Sequence, residues 1–227
     1  MEIALGTQNT SHIGFDEKVK YLQRTLLKWY EIHGRKSLPW RRNDISPFHK
    51  LVAEILLQKT RAENIVPIYL EFIKRYPSAI ELAKESEEKL AEFLKPLGLY
   101  RNRARNLIKM AKIIVDRGIP RDRRELELLP GVGPYIANAF LVTAYNYCLP
   151  VVDTNVRRFL SRVFSLRTKR DVRRDPFVWK FMERILPSQK CREFIWAVLD
   201  FSAKICKPKP RCNVCPIKDI CNFFTKQ

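Results

Sequence analysis

The chain of 227 residues is 46% hydrophobic, which is enough for one large core or two compact lobes and excludes a disordered or fibrous protein. Its 43 Lys and Arg residues against 24 Asp and Glu give a net charge of +19, which favours a polyanionic partner; a solvated basic surface or a thermophile's ion-pair network is the alternative. No window reaches the ~18 apolar residues of a membrane span, and residues 1–15 lack the pattern of a signal peptide, so we expect an intracellular protein of the cytoplasm or nucleoid with no membrane partner.

Helical periodicity dominates the chain, and no convincing series of alternating strands is present. The expected helices run, in order, from an Asp16 cap to Gly34, from Pro47 through Leu56, and then over about 62–76, 79–84, 87–95, 101–117, 125–129, 136–147, 155–166, 176–186 and 192–205. Pro67 would kink the third helix or start a new one, and Asp122 with Glu125 fits a capping box. The sequence therefore predicts an all-α fold.

The segment Leu129-Pro130-Gly131-Val132-Gly133-Pro134 joins two of these helices. Gly131 and Gly133 lack the Cβ atoms that would keep a phosphate away from main-chain N–H groups, and Pro134 suits a first helical turn. The following helix would then present its N-terminus to the anion. This helix-hairpin-helix predicts a DNA-backbone contact at Gly131, Val132 and Gly133, although many proteins use such a motif only to hold DNA.

Asp153 stands 18 residues after Tyr135, in Val152-Asp153-Thr154-Asn155. An aspartate in this context is commonly a helix cap or a local turn. The hairpin upstream and the arginines downstream, with Arg157 as the first expected DNA contact, favour a carboxylate placed beside DNA. Basic residues cluster in a second stretch as well, which consists of Arg101, Arg103, Arg105 and Lys109.

Four of the six cysteines form the pattern C-x5-C-x2-C-x5-C, at Cys206, Cys212, Cys215 and Cys221. Four soft thiolates in one short loop suit a [4Fe-4S] cluster. A structural zinc, which more often uses two C-x2-C pairs, is the alternative, and disulfides are disfavoured in a reducing compartment.

The hairpin, the aspartate and the cysteines together resemble the helix-hairpin-helix DNA glycosylase superfamily in its iron-sulfur branch, which includes endonuclease III and the mismatch adenine glycosylases. The resemblance extends over residues 29–221 and includes four further motifs: Leu38-Pro39-Trp40, Ala53-Glu54-Ile55-Leu56-Leu57-Gln58, Gly98-Leu99-Tyr100 and Asp200-Phe201-Ser202-Ala203. Within this branch the chain is most similar to the archaeal mismatch thymine/uracil glycosylases. It departs from the branch in its first cysteine gap, which is five residues where six are common, and it ends before the C-terminal domain of a typical adenine enzyme.

The resemblance implies two lobes. A six-helix barrel lobe at 37–147 would contain the hairpin, and residues 1–36 would join 148–227 in a lobe around the cluster. It also implies a monomer that binds double-stranded DNA containing a mismatch or a damaged base.

For the chemistry, the resemblance implies release of thymine or uracil mispaired with guanine, leaving an abasic site. Tyr135 matches the position of the lysine that forms a Schiff base in bifunctional members, which a phenol cannot do, so no strand cleavage is expected. Asp153 would stabilise the positive charge that develops on the sugar and orient or deprotonate water. Glu54 resembles the purine-protonating glutamate of adenine glycosylases, which keeps adenine or oxidised pyrimidines open as alternatives, as is a salt-bridged structural role.

Gln58 and Leu99 resemble the side chains that fill the gap when a nucleotide is extruded, with a surface polar role and a core apolar role as the alternatives. A noncatalytic iron-sulfur DNA-binding protein on the same scaffold is the alternative from another functional class.

Overall fold

The structure, a computed structural model, describes residues 14–225. The expected absence of a signal peptide concerns residues 1–15, most of which lie outside the described residues. The described chain contains eleven α-helices and no strand, which confirms the predicted all-α fold. They are α1 Phe15–His33, α2 Pro47–Leu56, α3 Ala62–Arg75, α4 Ala79–Ala83, α5 Glu87–Leu94, α6 Tyr100–Arg117, α7 Arg123–Glu127, α8 Pro134–Tyr145, α9 Thr154–Phe164, α10 Pro176–Arg184 and α11 Cys191–Lys204.

The chain divides into two compact units. One unit is built from residues 1–34 and 152–227, and the other from residues 35–151. None of the helices between residues 14 and 225 is both long and apolar enough to span a membrane.

The 35–151 unit is organised around α2 and α8, which pack against each other. Every residue of α8 from Ile136 to Thr143 is buried, and so is every residue of α2 from Phe48 to Leu56. Helices that are buried on all sides belong to the centre of a unit, so residues at their ends are held rigidly. Helix α6 packs against α4 and α5 at the side of the same core.

The other unit joins the N-terminal helix to the C-terminal ones. Helix α1 packs on α11, and α11 also packs on α9. Phe201 of α11 lies edge-on to Trp29 of α1 at 5.1 Å and to Phe159 of α9 at 5.7 Å between ring centroids. These aromatic contacts fix the orientation of α9, and therefore of its arginines, relative to α11.

The structure corrects two local predictions and confirms the cap at Asp122. Gly14, and not Asp16, is the N-cap of α1, and Asp16 lies in the first turn, where its charge favours the helix dipole. Helix α3 runs continuously through Pro67, so no new helix starts there. Asp122 caps α7 by accepting from the N–H groups of Arg124 and Glu125, at 2.8 and 3.1 Å.

Candidate functional site

The hairpin between α7 and α8 has the backbone form that its glycines allow. Gly131 adopts a φ of 83°, and a Cβ at this position would lie 3.0 Å from Asn106 Nδ2. Gly133 is extended, and no atom lies within 4 Å of where its Cβ would be. Val132 differs, because its side chain is buried and its N–H donates to the Leu129 carbonyl at 3.1 Å. The turn therefore offers space at Gly133 while Val132 anchors it to the core.

Helix α8 begins directly after this turn, with Gly133 as N-cap and Pro134 as first residue. The first N–H groups of a helix have no acceptor within the helix, and they carry partial positive charge. The turn and the helix start together form a surface on which a phosphate oxygen could accept main-chain hydrogen bonds. Tyr135 lies in this first turn, half-buried against the core of the 35–151 unit.

Gln58 and Leu99 lie in two turns of the same unit. The Gln58 Nε2 group donates to the Gly131 carbonyl at 2.9 Å, which links its turn to the hairpin. Leu99 precedes α6 with a left-handed φ of 49° and keeps 51% of its surface exposed. A bulky residue in this region of backbone space is strained, and an exposed leucine there is not part of the core. The alternative of a core role for Leu99 is thus wrong.

Arg103 is buried between these two turns, with only 3% of its surface exposed. In the sequence Arg103 belongs to a basic stretch with Arg101, Arg105 and Lys109. Those three side chains are exposed, whereas Arg103 is buried.

Glu54 lies on α2 with 6% of its surface exposed. Burial raises the pKa of its carboxyl group to about 7, and the field of the nearby Arg41 guanidinium opposes the rise. At neutral pH both protonation states are populated, so this side chain could donate or accept a proton. A carboxyl group with this property is typical of acid–base catalysis, although buried structural groups show it as well.

Asp153 is the N-cap of α9, so the structural role weighed from the sequence is real. One carboxylate oxygen accepts from the Val156 N–H at 2.7 Å, and the other accepts from the Asn155 side-chain amide at 3.0 Å. The carboxylate is only partly buried, and each oxygen retains acceptor capacity for a further partner. The cap therefore fixes the orientation of this acid without using up its lone pairs.

The arginines of α9 bond within their own unit. Arg157 Nη1 donates to Thr168 Oγ1 at 3.2 Å, and its buried Nε has no partner among the described residues. Arg158 donates to the Asn155 side chain at 2.9 Å and to the Cys206 carbonyl at 2.9 Å. Arg162 donates to the carbonyls of Lys207 and Pro208, at 2.6 and 2.9 Å. Arg158 and Arg162 thus connect the cap of α9 to the cysteine loop, residues 206–221, a role that sequence reasoning missed although their spacing of four places them on one helix face.

The four cysteines of this loop form no disulfide and line one small cavity of about 20 Å³. Apolar side chains complete its walls, among them Phe159, Val163, Phe201, Ile217 and Phe223. Burial raises the pKa of the Cys206 thiol and raises that of Cys215 to about 11. No three or more His, Cys, Asp or Glu side chains of residues 14–225 are arranged to hold a metal ion. The expected cluster is therefore supported by the donor type and the shared cavity, and not by a preformed ligand geometry.

The chain is similar to known proteins of one family. Residues 52–183 match the family of HhH-GPD superfamily base excision DNA repair proteins. The chain is 40% identical to the thymine-DNA glycosylase of Aeropyrum pernix, an alignment that covers 91% of this chain and 96% of the relative. It is 40% identical to the thymine/uracil-DNA glycosylase of Pyrobaculum aerophilum, over 89% and 91% of the two chains. The adenine DNA glycosylase of Buchnera aphidicola subsp. Baizongia pistaciae is 35% identical over 88% of this chain but only 58% of its own length.

Solved structures of DNA repair proteins are also similar to this chain. A thermostable thymine-DNA glycosylase superposes with a TM-score of 0.83 at 29% identity, covering 93% of this chain and 99% of the other. The protein in a non-covalent endonuclease III–DNA complex superposes with a TM-score of 0.82 at 26% identity, covering 94% and 98%. The predicted resemblance is confirmed: the chain belongs to the HhH-GPD superfamily of base excision DNA repair proteins.

Proposed function

We propose that this protein is a DNA glycosylase that hydrolyses the N-glycosidic bond of thymine or uracil mispaired with guanine in double-stranded DNA. It releases the free base, leaves an abasic site and acts as a monomer. The observation that carries this proposal is the oriented carboxylate of Asp153 in a chain similar along most of its length to thymine- and thymine/uracil-DNA glycosylases.

Asp153 stabilises the sugar as the bond to the base breaks. Positive charge then develops at C1′ and the ring oxygen, and a fixed carboxylate lowers the energy of that state more than water does, because it needs no reorganisation. The leaving pyrimidine takes the electron pair of the C1′–N bond. A water molecule oriented by the carboxylate forms the new C1′–O bond and transfers a proton to Asp153, from which a proton returns through solvent to the departing base anion.

The hairpin binds the DNA backbone, and its Tyr135 makes the enzyme monofunctional. The N–H groups of Gly131 and Gly133 and the start of α8 bind phosphate, and exposed basic residues add nonspecific affinity. Tyr135 has no amine, so no Schiff base forms with the sugar at this position and the strand stays intact. Gln58 and Leu99 occupy the stack that the extruded nucleotide leaves.

Cys206, Cys212, Cys215 and Cys221 would hold a [4Fe-4S] cluster, which would crosslink four points of the loop and act as a folding staple. The thiols must lose protons to bind iron, and because burial raises the pKa of Cys206 and Cys215, loss of these two protons depends on the metal itself. Zinc is the alternative occupant of the same donor set.

A second candidate function, adenine excision, is favoured by one observation. The Glu54 carboxyl group, with its pKa of about 7, is partly protonated at neutral pH and could protonate a purine leaving group. Thymine and uracil leave as anions that a hydrogen bond can stabilise, so the same residue is compatible with both substrates.

The proposal is tested with a panel of duplexes that contain T·G, U·G, A·G, adenine opposite oxidised guanine, or thymine glycol. Products are scored before and after alkali, with and without borohydride, for the wild type and Asp153→Asn. Asparagine caps a helix as well as aspartate does, so this variant keeps the cap on the Val156 N–H while it removes the charge and the hydrogen bond from the Asn155 side chain. We expect fastest release from T·G or U·G, strand breaks only after alkali, no borohydride adduct, and a fall in rate of about 100-fold or more in Asp153→Asn with mismatch binding retained.

Fastest release from A·G would overturn the substrate assignment and favour the second candidate. A trapped adduct would overturn the absence of lyase activity. Equal rates for the wild type and Asp153→Asn would remove Asp153 from the mechanism, and binding without any base release would identify a noncatalytic DNA-binding protein.

A further inference from the structure

The turns that carry Gln58 and Leu99 share one unusual feature of the backbone. Lys59, next to Gln58, has a φ of 54°, and Leu99 has a φ of 49°. Both are residues with long side chains in the left-handed region, which costs free energy unless surrounding contacts hold it. The two turns are joined by a hydrogen bond from Thr60 Oγ1 to the Leu97 carbonyl at 3.2 Å and by a single side chain of α6.

That side chain is Arg103, and it divides its two terminal nitrogens between the turns. Nη1 donates to the carbonyls of Leu97 and Gly98, at 2.9 and 2.6 Å. Nη2 donates to the Gln58 carbonyl and to Thr60 Oγ1, the latter at 3.0 Å. The guanidinium group is thus a planar bridge with one edge on each turn.

The four acceptors are three carbonyl oxygens and one hydroxyl oxygen, and none of them is a carboxylate. The Nε group is buried and has no partner among the described residues. Burying a charge in such surroundings is costly, and an apolar replacement would leave four acceptors without this donor. Arginine at this position is therefore tied to the geometry of the two turns.

The bridge continues to the hairpin. Gln58 Nε2 donates to the Gly131 carbonyl, and Asn106, one helical turn after Arg103, packs against Gly131. Through Arg103 and Asn106, helix α6 therefore contacts the Gln58 turn, the Leu99 turn and the hairpin of the same unit.

We propose that Arg103 is a positioning residue that makes the Gln58 turn and the Leu99 turn one rigid block, so that both side chains enter the duplex together. This inference rests on the proposed function, in which those two side chains fill the vacated stack. Lysine cannot replace the bridge, because its single ammonium group cannot serve both turns in a fixed plane.

The test compares Arg103→Lys and Arg103→Met with the wild type and with Arg117→Met. Arg117 lies on the same helix, is exposed and pairs with its neighbour Asp116, so its variant controls for the loss of one positive charge. The probe is a U·G duplex with 2-aminopurine next to the uracil, since its fluorescence rises when neighbouring bases unstack. Affinity for an uncleavable duplex, the fluorescence rise, the single-turnover rate and the melting temperature are measured for each protein.

For both Arg103 variants we expect duplex affinity within about threefold of the wild type, with the fluorescence rise largely lost and the single-turnover rate lower by about 10- to 100-fold. Arg117→Met should match the wild type in fluorescence and rate. A wild-type fluorescence rise in Arg103→Lys would overturn the inference, and so would a loss of affinity in proportion to the loss of rate, because that pattern indicates general destabilisation.

If the Arg103 variants do not fold, Thr60→Val nearly keeps side-chain shape while it removes one acceptor of the bridge and the hydrogen bond from Thr60 Oγ1 to the Leu97 carbonyl. It should lower the fluorescence rise in the same direction by a smaller factor, and an unchanged rise would contradict the proposal. A wild type that releases no base from any duplex would instead refute the proposed function, while the fluorescence comparison would still test the bridge.

Discussion

At the scale of single residues, Glu54 is the group whose protonation is most clearly altered by folding. Its carboxyl pKa rises from an ordinary value of 4.5 to about 7, so the folded protein favours the neutral form. A raised carboxyl pKa means that folding becomes less favourable as pH increases from about 4.5 to 7, because the unfolded chain releases its proton first. Above pH 7 the full penalty is present.

We therefore predict that Glu54→Gln stabilises the protein, and more so at high pH. The gain should be near zero at pH 4.5 and approach an upper limit of about 3 kcal/mol above pH 7, from 1.36 kcal/mol for each of about 2.5 pH units. The measurement is the melting temperature of both proteins from pH 4.5 to 8.5. A constant difference across this range would show that the carboxyl group titrates normally.

Individual residues also show what the sequence could and could not predict. The cap role of Asp153 could be weighed from the sequence as the alternative to catalysis, because a cap depends on its neighbours in the chain. The burial of Arg103 could not be predicted, since its four acceptors come from turns up to 45 residues away in sequence. The sequence shows Arg103 only as one of several basic residues in the same stretch.

At the scale of elements, helix positions were predictable and the contacts between elements were not. Periodicity and capping residues located the helices, and the glycines located the hairpin, because both depend on neighbouring residues. The bracing of the cysteine loop by α9 depends on chain segments about 45 residues apart, which no local pattern reports. It makes the loop and the cap of α9 one connected network.

From this network we predict how the loop responds to mutation. Cys212→Ser should abolish the broad absorbance near 400 nm that iron–sulfide charge transfer gives, and should lower the melting temperature. Arg162→Met removes three hydrogen bonds to the loop, two to carbonyls and one to Cys206 Sγ, so it should retain iron but release it faster to a chelator. Arg173→Met, an exposed arginine of the same unit that pairs with Asp171, is the control.

Anaerobic preparations are compared by absorbance and by metal content. A colourless protein containing zinc would contradict the cluster. Iron release from Arg162→Met at the wild-type rate would show that the bracing of the loop has no energetic consequence.

At the scale of the whole molecule, the charge of +19 governs the encounter with DNA. Part of that charge is committed internally, because Arg103, Arg158 and Arg162 bond to backbone oxygens of the protein. The number of DNA phosphates neutralised should therefore be well below the net charge.

We predict that affinity for DNA falls by about 10³ to 10⁵ between 50 and 200 mM salt, as for proteins with roughly 6 to 10 phosphate contacts. Fluorescence anisotropy with mismatched and fully paired duplexes should give the same slope of log affinity against log salt. A shallow slope would mean that the positive surface is not the DNA-binding surface.

The unit formed by the two ends of the chain has a consequence for its synthesis. Leu22 and Leu26 of α1 are fully buried, and the helix that α1 packs on, α11, begins 158 residues after α1 ends at His33. On the ribosome this apolar stripe emerges first and waits for its partner, while residues 35–151 can complete their own core in the meantime. The enzyme is thus assembled from the middle outward, and the nascent N-terminal helix is the segment most exposed to chaperones and to misfolding.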